Sequence, residues 1–402
     1  MLVDIAFFGP GLVVPGLGVS LRRSLFLLIL LVLAFRRAMR RSSFTNAEVG
    51  FVALLGAFGV FWGIVVPSSY GYLLSLSFAD ISPWLGMLIL ALWPWDSWPA
   101  LAQWKKFCNF LVVVTVLLAL AHLGIWALLE TNFVTPEFFS VTANLVSAGS
   151  DGDSFLRIAE LEGGGFRVFW SSSIFLLGGI YFLSVTRPRP IKIRWLVALG
   201  MAVFALGATY IRAFLGAITI FVVLTYVLRR FYAARRIQFP IATILGIWLI
   251  GIVSVSIAIN PTFLSTIGLA RDASDVDRVE QAGALLSQFQ AHPLLGTGFG
   301  SYVYQVIRGG DAPYSYELVF YALIMKLGVI GMIALISILG LALKLAGARK
   351  LASTRARDFA LWTAFTTGLW FAGATNPMVT NFVGMSIVVL VFVDMRVRAN
   401  ER

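Results

Sequence analysis

The sequence contains very little of what disulfide frameworks and metal centres require. It has one cysteine, Cys108, among 402 residues, so an intrachain disulfide and a cysteine-based metal site are both excluded. Its two histidines, His122 and His292, argue against a histidine-rich metal site. We therefore expect a protein that binds no metal ion.

Charged residues are scarce as well. They make up 12% of the chain, whereas a soluble domain has about 25%. Hydrophobic residues make up 59%, and the mean hydropathy is +0.89. This composition excludes a disordered protein and predicts a polytopic membrane protein. The net charge of +12 would suggest a nucleic-acid partner for a soluble protein, but in a membrane protein it first indicates topology. We expect no nucleic-acid partner.

Long apolar runs predict an all-α fold with about twelve transmembrane helices. A helix crosses the bilayer with about 20 apolar residues, and the runs lack the alternation that a closed barrel would require. The whole chain is expected to form a single transmembrane domain. The predicted segments are 5–19, 24–35, 49–66, 82–95, 107–129, 166–185, 195–210, 213–228, 241–259, 317–343, 359–375 and 380–395.

The distribution of basic residues predicts the topology. With both termini in the cytoplasm, 22 of the 31 Lys and Arg residues fall in cytoplasmic connections or the C-terminal tail, as the positive-inside rule requires. Two connections on the outer side are long, 130–165 and 260–316. The second is large enough for a small subdomain.

One amphipathic helix is expected in the large outer connection, near 278–291. Ser274 or Asp277 is the expected N-terminal cap. Apolar residues at helical spacing predict one buried stripe. The stripe consists of Val279, Ala282, Leu286 and Phe289.

Nine basic residues lie outside the cytoplasmic connections. A cation near the middle of the bilayer costs about 2.5–3.5 kcal/mol, so it normally pairs with an acid or faces a wet cavity. Arg22 and Arg23 fit interfacial anchors, and Lys326 fits a structural pair. The nine are Arg22, Arg23, Arg157, Arg167, Arg212, Arg271, Arg278, Arg308 and Lys326.

Some of these arginines, together with Glu317, have the chemistry of an anion site with a base beside it. Guanidinium groups bind a diphosphate through paired hydrogen bonds, and a carboxylate can take a proton from a hydroxyl. Structural alternatives stay open for three of the residues. Arg167 can snorkel to the interface, Arg278 can be a solvated charge, and Glu317 can be a helix N-terminal acid. Arg212 lies in a tight hairpin between two short segments, where a purely structural role is harder to assign.

The stretch from Asp277 to Gly300 resembles the outer-loop signature of the O-antigen ligase and O-antigen polymerase superfamily. The signature is an arginine, an amphipathic helix and the motif h-P-L-L-G-x-G, which here begins at His292. Gly328-Val329-Ile330-Gly331 is similar to the family's G-(I/V)-I-G element, and Thr209–Arg212 resembles its T-x-S-R element.

This resemblance implies a GT-C-like helical fold and an inverting, metal-independent membrane glycosyltransferase without a cofactor. Its donor would be a glycan linked to undecaprenyl pyrophosphate. A polymerase hands that glycan to the next lipid-linked repeat unit, and a ligase hands it to lipid A–core. In the family, arginines on the outer side hold the pyrophosphate and an outer-loop residue activates the acceptor hydroxyl.

The chain departs from the ligase pattern at one point. Ligases have a histidine eleven residues before the first glycine of the G-x-x-G element, where this chain has Glu317. Lys326 stands at the family's acid position. This exchange favours a polymerase of O-antigen or exopolysaccharide units over a lipid A–core ligase.

The resemblance therefore implies a role for each candidate residue. Glu317 would be the catalytic base. The expected pyrophosphate ligands are Arg212, Arg278 and Arg167. The expected sugar-stacking residues are Tyr302, Tyr314 and Tyr316.

The expected location is the bacterial inner membrane, with the active site facing the periplasm. The lipid bilayer, the lipid-linked donor and the acceptor are the expected partners, and a chain-length regulator is a further candidate. A flippase of lipid-linked sugars is an alternative, but it should show repeated halves and charges along a path, and the sequence shows neither. A structural subunit would not need Arg212 in its hairpin.

Overall fold

The computed structural model describes most of the chain, and the described residues fall into two compact units. Unit 1 consists of the described residues within 1–36 and 94–219, and unit 2 of those within 37–93 and 220–402. The described residues are 21–39, 44–93, 101–139, 156–160, 165–170, 172–188, 190–234, 272–307, 312–374 and 376–401.

Helices make up most of the described chain, with one two-stranded hairpin. We number the elements in chain order. They are α1 (Leu21–Met39), α2 (Asn46–Ser69), α3 (Leu74–Leu92), α4 (Leu101–Glu130), β1 (Leu156–Glu160), β2 (Phe166–Trp170), α5 (Ile174–Val185), α6 (Ile193–Gly207), α7 (Arg212–Ala234), α8 (Asp272–Ala291), α9 (Val319–Leu345), α10 (Ala348–Thr354), α11 (Ala356–Ala374) and α12 (Phe382–Asn400).

Five helices in the described part of the chain are long and apolar enough to cross a membrane. These are α2, α3, α4, α7 and α9. The prediction of a helical membrane protein is confirmed at this level, while the number twelve stays a prediction. The predicted segments 5–19 and 241–259 lie outside the described residues.

The predicted start of the fourth segment, residue 82, was wrong. Its helix α3 begins at Leu74. Ser77 is fully buried and its hydroxyl donates to the Leu73 carbonyl at 3.4 Å, so this serine is satisfied inside the helix and does not interrupt it. As a consequence, Asp80 lies within α3 rather than in the preceding connection.

The sixth segment, predicted as a helix over 166–185, begins as a β-strand. β1 and β2 pair antiparallel with Leu156 opposite Trp170 and Glu160 opposite Phe166. Val168 is fully buried, while Arg167 lies on the opposite face of β2. Aromatic and β-branched residues favour a pleated, half-buried strand, so helix α5 starts only at Ile174. The predicted start of the sixth helix was therefore wrong, while the described residues are mostly helical, as expected for an all-α membrane protein.

Helix α9 contains a sharp break at Gly328. This residue has φ 59° and ψ −171°, which is not helical. The helical bonds from Val329 and Ile330 are replaced, because their N–H groups donate instead to the carbonyls of Pro293 and Leu294 at 2.9 and 3.0 Å. A backbone polar group inside a membrane must form its hydrogen bond within the protein. The carbonyls of Pro293 and Leu294 accept these bonds here.

The glycine-rich turn at 294–300 completes this exchange. Thr297 donates its N–H to the Met325 carbonyl at 3.1 Å, and Gly298 donates to the Lys326 carbonyl at 2.8 Å. Gly296 has φ 66°, and a Cβ there would lie 2.4 Å from the Lys326 carbonyl oxygen. The turn therefore holds the broken helix through backbone hydrogen bonds, and we call the turn at 294–300 with these bonds the clasp. Only glycine at position 296 allows the turn to come this close to the backbone of α9.

Helix α8 packs beside this clasp on a face that includes only part of the predicted stripe, since Ala282 and Phe289 pack against the buried cluster. Its fully buried residues are Gln281 and Leu285, whereas Val279 and Leu286 are exposed. The buried face packs against Tyr316, Leu318, Ala322 and Met325. The helix begins at Asp272, so the predicted caps Ser274 and Asp277 lie inside it.

The opposite end of unit 2 carries a buried ion network centred on Glu48. The Arg37 guanidinium donates to Glu48 at 2.7 Å, and the Arg396 guanidinium donates to it at 3.1 Å. Arg37 also donates to the Ala91 carbonyl, and Arg396 to the Leu90 carbonyl. We call this the Glu48 end of unit 2. The network ties the start of α2 to the ends of α3 and α12.

Candidate functional site

The predicted base and one predicted pyrophosphate ligand form an ion pair in unit 2. Arg278 Nε donates to Glu317 Oε2 at 3.1 Å, and the two side chains are 23% and 29% exposed. They are brought together by α8 and by the segment that leads into α9. Glu317 lies just before α9, which begins at Val319, so it does not belong to the helix as the sequence had suggested.

Gln281 anchors the segment that carries Glu317. Its side-chain oxygen accepts the N–H of Leu318 at 3.1 Å, and the glutamine is 1% exposed. Gln281 lies three residues after Arg278, so both side chains are on one face of α8. Sequence reasoning missed this residue, because a polar side chain on the buried face interrupts the apolar pattern.

A second ion pair lies deeper, within the apolar helices. Lys326 Nζ donates to Asp80 Oδ2 at 2.6 Å and to the Tyr314 carbonyl at 2.9 Å. The lysine side chain is 5% exposed and the aspartate 15%. Asp80 Oδ2 also accepts the N–H of Gly300 at 2.8 Å. The expected structural pairing of Lys326 is thus present, and it joins α3, α9, the glycine-rich turn and the 312–318 segment.

A cavity of about 160 Å³ lies against the Asp80–Lys326 pair. Its walls come from α3, the glycine-rich turn, the 312–318 segment, α9 and the turn before α12. We call this region the Lys326 end of unit 2. The residues that line the cavity are Asp80, Trp84, Phe299, Ala312, Tyr314, Ser315, Tyr316, Val319, Ala322, Leu323, Lys326, Pro377, Thr380 and Asn381.

The three tyrosines predicted to stack on sugars occupy two places. Tyr314 and Tyr316 line the cavity. Tyr302 lies instead in an aromatic row with Tyr72 and Tyr304, at ring-centroid distances of 5.6 and 5.0 Å. Tyr304 is 75% exposed, so this row presents a ring to the surroundings.

The hydroxyl of Tyr316 is buried and bonded to the backbone. It accepts the backbone N–H of Val303 at 2.6 Å. Burial raises the pKa of Tyr316 to about 12, against the opposing effect of that hydrogen bond. The tyrosine therefore holds the glycine-rich segment and the 312–318 segment together without carrying charge.

The other two predicted arginines belong to unit 1. Arg167 Nε donates to the Thr209 carbonyl at 3.0 Å, which places Arg167 beside the Thr209–Arg212 turn. Tyr210 in this turn has φ 51°, and α7 begins at Arg212. The Arg212 side chain is exposed. The two arginines therefore share one edge of unit 1.

Charges in the described part of unit 2 gather at its two ends. The stretches between the Glu48 end and the Lys326 end carry no Asp, Glu, Lys or Arg, and they are 49–66, 81–92, 327–343, 359–374 and 382–393. Within the described ranges, no group of three or more His, Cys, Asp or Glu residues could hold a metal ion. A charged ligand would therefore find partners only at the ends of these helices.

Breaking the Asp80–Lys326 pair should destabilise the protein strongly. Removing one partner of a buried ion pair costs about 3–5 kcal/mol, because the other charge is left without compensation. We expect Lys326→Met and Asp80→Asn each to lower the unfolding temperature in detergent. The double variant Asp80→Asn/Lys326→Met should recover most of the loss, since it removes both charges and keeps an oxygen for Gly300. Additive losses in the double variant would contradict this interpretation.

Among the residues that form these two sites, the sequence had pointed to Glu317, Arg278 and the tyrosines but not to Asp80. A signal was present, since Asp80 and Lys326 each directly precede a long apolar run without charges, and opposite charges in a membrane tend to pair. The chain was compared with models of protein families, with curated proteins and with solved structures, and none of the three comparisons found a match.

Proposed function

We propose that this chain is a membrane glycosyltransferase that polymerises oligosaccharide repeat units linked to undecaprenyl pyrophosphate. The observation that carries the proposal is the Arg278–Glu317 pair at 3.1 Å. It sets a permanent cation beside a carboxylate, both of them partly exposed, at the edge of an apolar helical unit. A diphosphate needs the first group, and a hydroxyl nucleophile needs the second.

The proposed reaction begins when the donor's diphosphate binds the guanidinium group of Arg278 in place of Glu317. Glu317 then loses a hydrogen bond and is free to accept a proton from the acceptor hydroxyl. The hydroxyl oxygen attacks the anomeric carbon on the face opposite the diphosphate. The bond between the anomeric carbon and the phosphate oxygen breaks, and its electrons leave with undecaprenyl pyrophosphate. Arg278 stabilises the charge that develops on this leaving group.

Arg212 and Arg167 stay predicted ligands of a pyrophosphate. They share one edge of unit 1, where Arg167 donates to the carbonyl of Thr209. Their predicted contribution is positive charge for an anionic group. The row of Tyr72, Tyr302 and Tyr304, in which Tyr304 is exposed, is proposed to stack on the glycan.

The proposed location is the bacterial inner membrane, with both termini in the cytoplasm and the Arg278–Glu317 pair on the periplasmic side. Basic residues cluster beside the Glu48 end, which supports a cytoplasmic position for that end. The absence of charge between the two ends of the described part of unit 2 favours chemistry at one face over passage of a charged substrate through the helices.

Purified protein tests the proposal directly. It is given a lipid-linked repeat unit as donor, with either a second lipid-linked repeat unit or lipid A–core as acceptor. We expect the first acceptor to be elongated without added metal. Transfer to lipid A–core alone would make the protein a ligase. No transfer to either acceptor, together with movement of the donor across proteoliposomes, would replace the proposal by a flippase.

A further inference from the structure

The cavity at the Lys326 end has the size of a single ring. Its volume is about 160 Å³, and an engineered protein cavity of roughly 150 Å³ holds one benzene molecule. A diphosphate with its lipid and sugars would be far too large. The cavity can therefore hold one six-membered ring of a larger ligand.

The electrostatics of the cavity select an uncharged ligand. Its cation, Lys326, is already paired with Asp80 at 2.6 Å, so the two formal charges cancel. A phosphate would meet the Asp80 carboxylate, and an ammonium group would meet Lys326. An uncharged ligand that offers both hydrogen-bond donors and acceptors can interact with both members of the pair.

The walls of the cavity divide into an aromatic floor and a polar mouth. Trp84 and Phe299 are each 1% exposed. Ser315, Thr380 and Asn381 are half-buried, and they provide two hydroxyls and an amide. Asn381 accepts the N–H of Gly384 at the start of α12, which directs its oxygen to the backbone and leaves its NH₂ as the donor. A sugar ring has the matching chemistry, with apolar C–H faces and a rim of hydroxyls.

We infer that this cavity binds one uncharged sugar ring, a function separate from the diphosphate site at Arg278 and Glu317. The assignment of that ring to the acceptor or donor glycan rests on the proposed function. Ser315 and Tyr316 line the cavity, and Glu317 is the next residue in the chain.

Binding of simple glycosides to the whole purified protein tests this inference without any transfer reaction. The protein is kept in a detergent without a sugar headgroup, because a glucoside or maltoside detergent would compete. Saturation-transfer NMR is recorded with methyl glucoside, methyl galactoside and methyl mannoside, and with glucuronate and phosphate as charged probes. We expect saturable binding of at least one neutral glycoside, and weaker binding of both anions.

Variants locate the binding. Ser315→Trp fills the cavity from its half-exposed wall and should weaken glycoside binding by about tenfold or more, which corresponds to about 1.4 kcal/mol. Leu323→Phe fills it from α9 and should act in the same direction. The control is Ser337→Trp, which makes the same substitution as Ser315→Trp at an exposed position on α9, the helix that carries Leu323. It should leave glycoside binding unchanged. Thermal unfolding of each variant shows whether the protein is folded.

Several outcomes would overturn the inference. These are no saturable binding of any neutral glycoside, equal binding of glucuronate, or unchanged binding in both folded cavity variants. Glycan transfer without glycoside binding would remove the inference and leave the proposed function standing. Glycoside binding without glycan transfer would remove the proposed function and leave the inference standing.

Discussion

Replacing Glu317 by glutamine is expected to abolish glycan transfer while the protein stays folded. The substitution keeps the size and hydrogen-bonding capacity of the side chain but removes its ability to take a proton. General-base catalysis contributes about 10²–10⁴-fold to a rate, so a loss of that size is expected. The measurement is the initial rate of elongation of a lipid-linked repeat unit by the purified variant.

Stability should change little in this variant. The Arg278–Glu317 pair is partly exposed on both sides, and such pairs contribute about 0–1 kcal/mol. A matched control is Glu280→Gln, because Glu280 is an exposed acid on α8 close to Arg278. Full transfer activity in Glu317→Gln, or an equal loss in Glu280→Gln, would remove Glu317 from the mechanism.

The arginines extend the same test to donor binding. Arg278→Ala and Arg212→Ala should each abolish transfer, and Arg278→Lys should restore it only in part, since an ammonium group lacks the guanidinium's planar fork of donors. Arg230→Ala is the control for Arg212, because Arg230 lies near the other end of α7 and is exposed. Activity at the wild-type level in Arg278→Ala would exclude Arg278 as a ligand of the diphosphate, and the same result in Arg212→Ala would exclude Arg212.

The second large effect is expected at Gly328, where Gly328→Ala should prevent stable folding. The residue has φ 59° and ψ −171°, a conformation that costs a residue with a side chain about 1–3 kcal/mol. A Cβ would also lie 2.5 Å from the backbone N of Gly296 and from the Leu294 carbonyl oxygen. Neither backbone atom can move away without breaking the clasp. Unfolding temperature and yield of dispersed protein in detergent measure the effect.

Gly340→Ala provides a control within the same helix. Nothing lies within 4 Å of a Cβ at Gly340, and alanine is the better helix former by roughly 0.5–1 kcal/mol. This variant should be as stable as the wild type or more so. If both alanine variants unfolded alike, the clasp would not be the element that holds α9 in place.

Local sequence patterns predicted α8 but only part of the face that it buries, since Ala282 and Phe289 pack against the buried cluster while Val279 and Leu286 are exposed. The apolar spacing pointed to a helix near 278–291, and a helix covers Asp272–Ala291. The buried face instead centres on Gln281 and Leu285. Gln281 is buried because it accepts the N–H of Leu318, and no pattern within α8 contains that partner.

The β1–β2 hairpin of unit 1 is a second element whose structure depends on a partner outside its own sequence pattern. The apolar content of 166–170 suits either a strand or a helix, and continuity with the apolar run of α5 favoured a helix. Pairing with β1 decided the outcome, because Leu156 to Glu160 satisfy the backbone groups of this stretch. The effect of a neighbouring strand is not encoded in the hydropathy of the segment itself.

The sequence by itself determined that this chain is a helical membrane protein, because a bilayer admits few charges and requires long apolar helices. It also singled out Arg278 and Glu317, since charged groups are rare enough here for each one to be conspicuous. Only the tertiary structure decided which charges meet. Lys326 finds its partner Asp80 at a separation of 246 residues, and Gly328 is explained by a turn that lies about 30 residues earlier in the chain and donates to the freed carbonyls. Ion pairing and hydrogen bonding act through space, so their partners become visible only when the chain is folded.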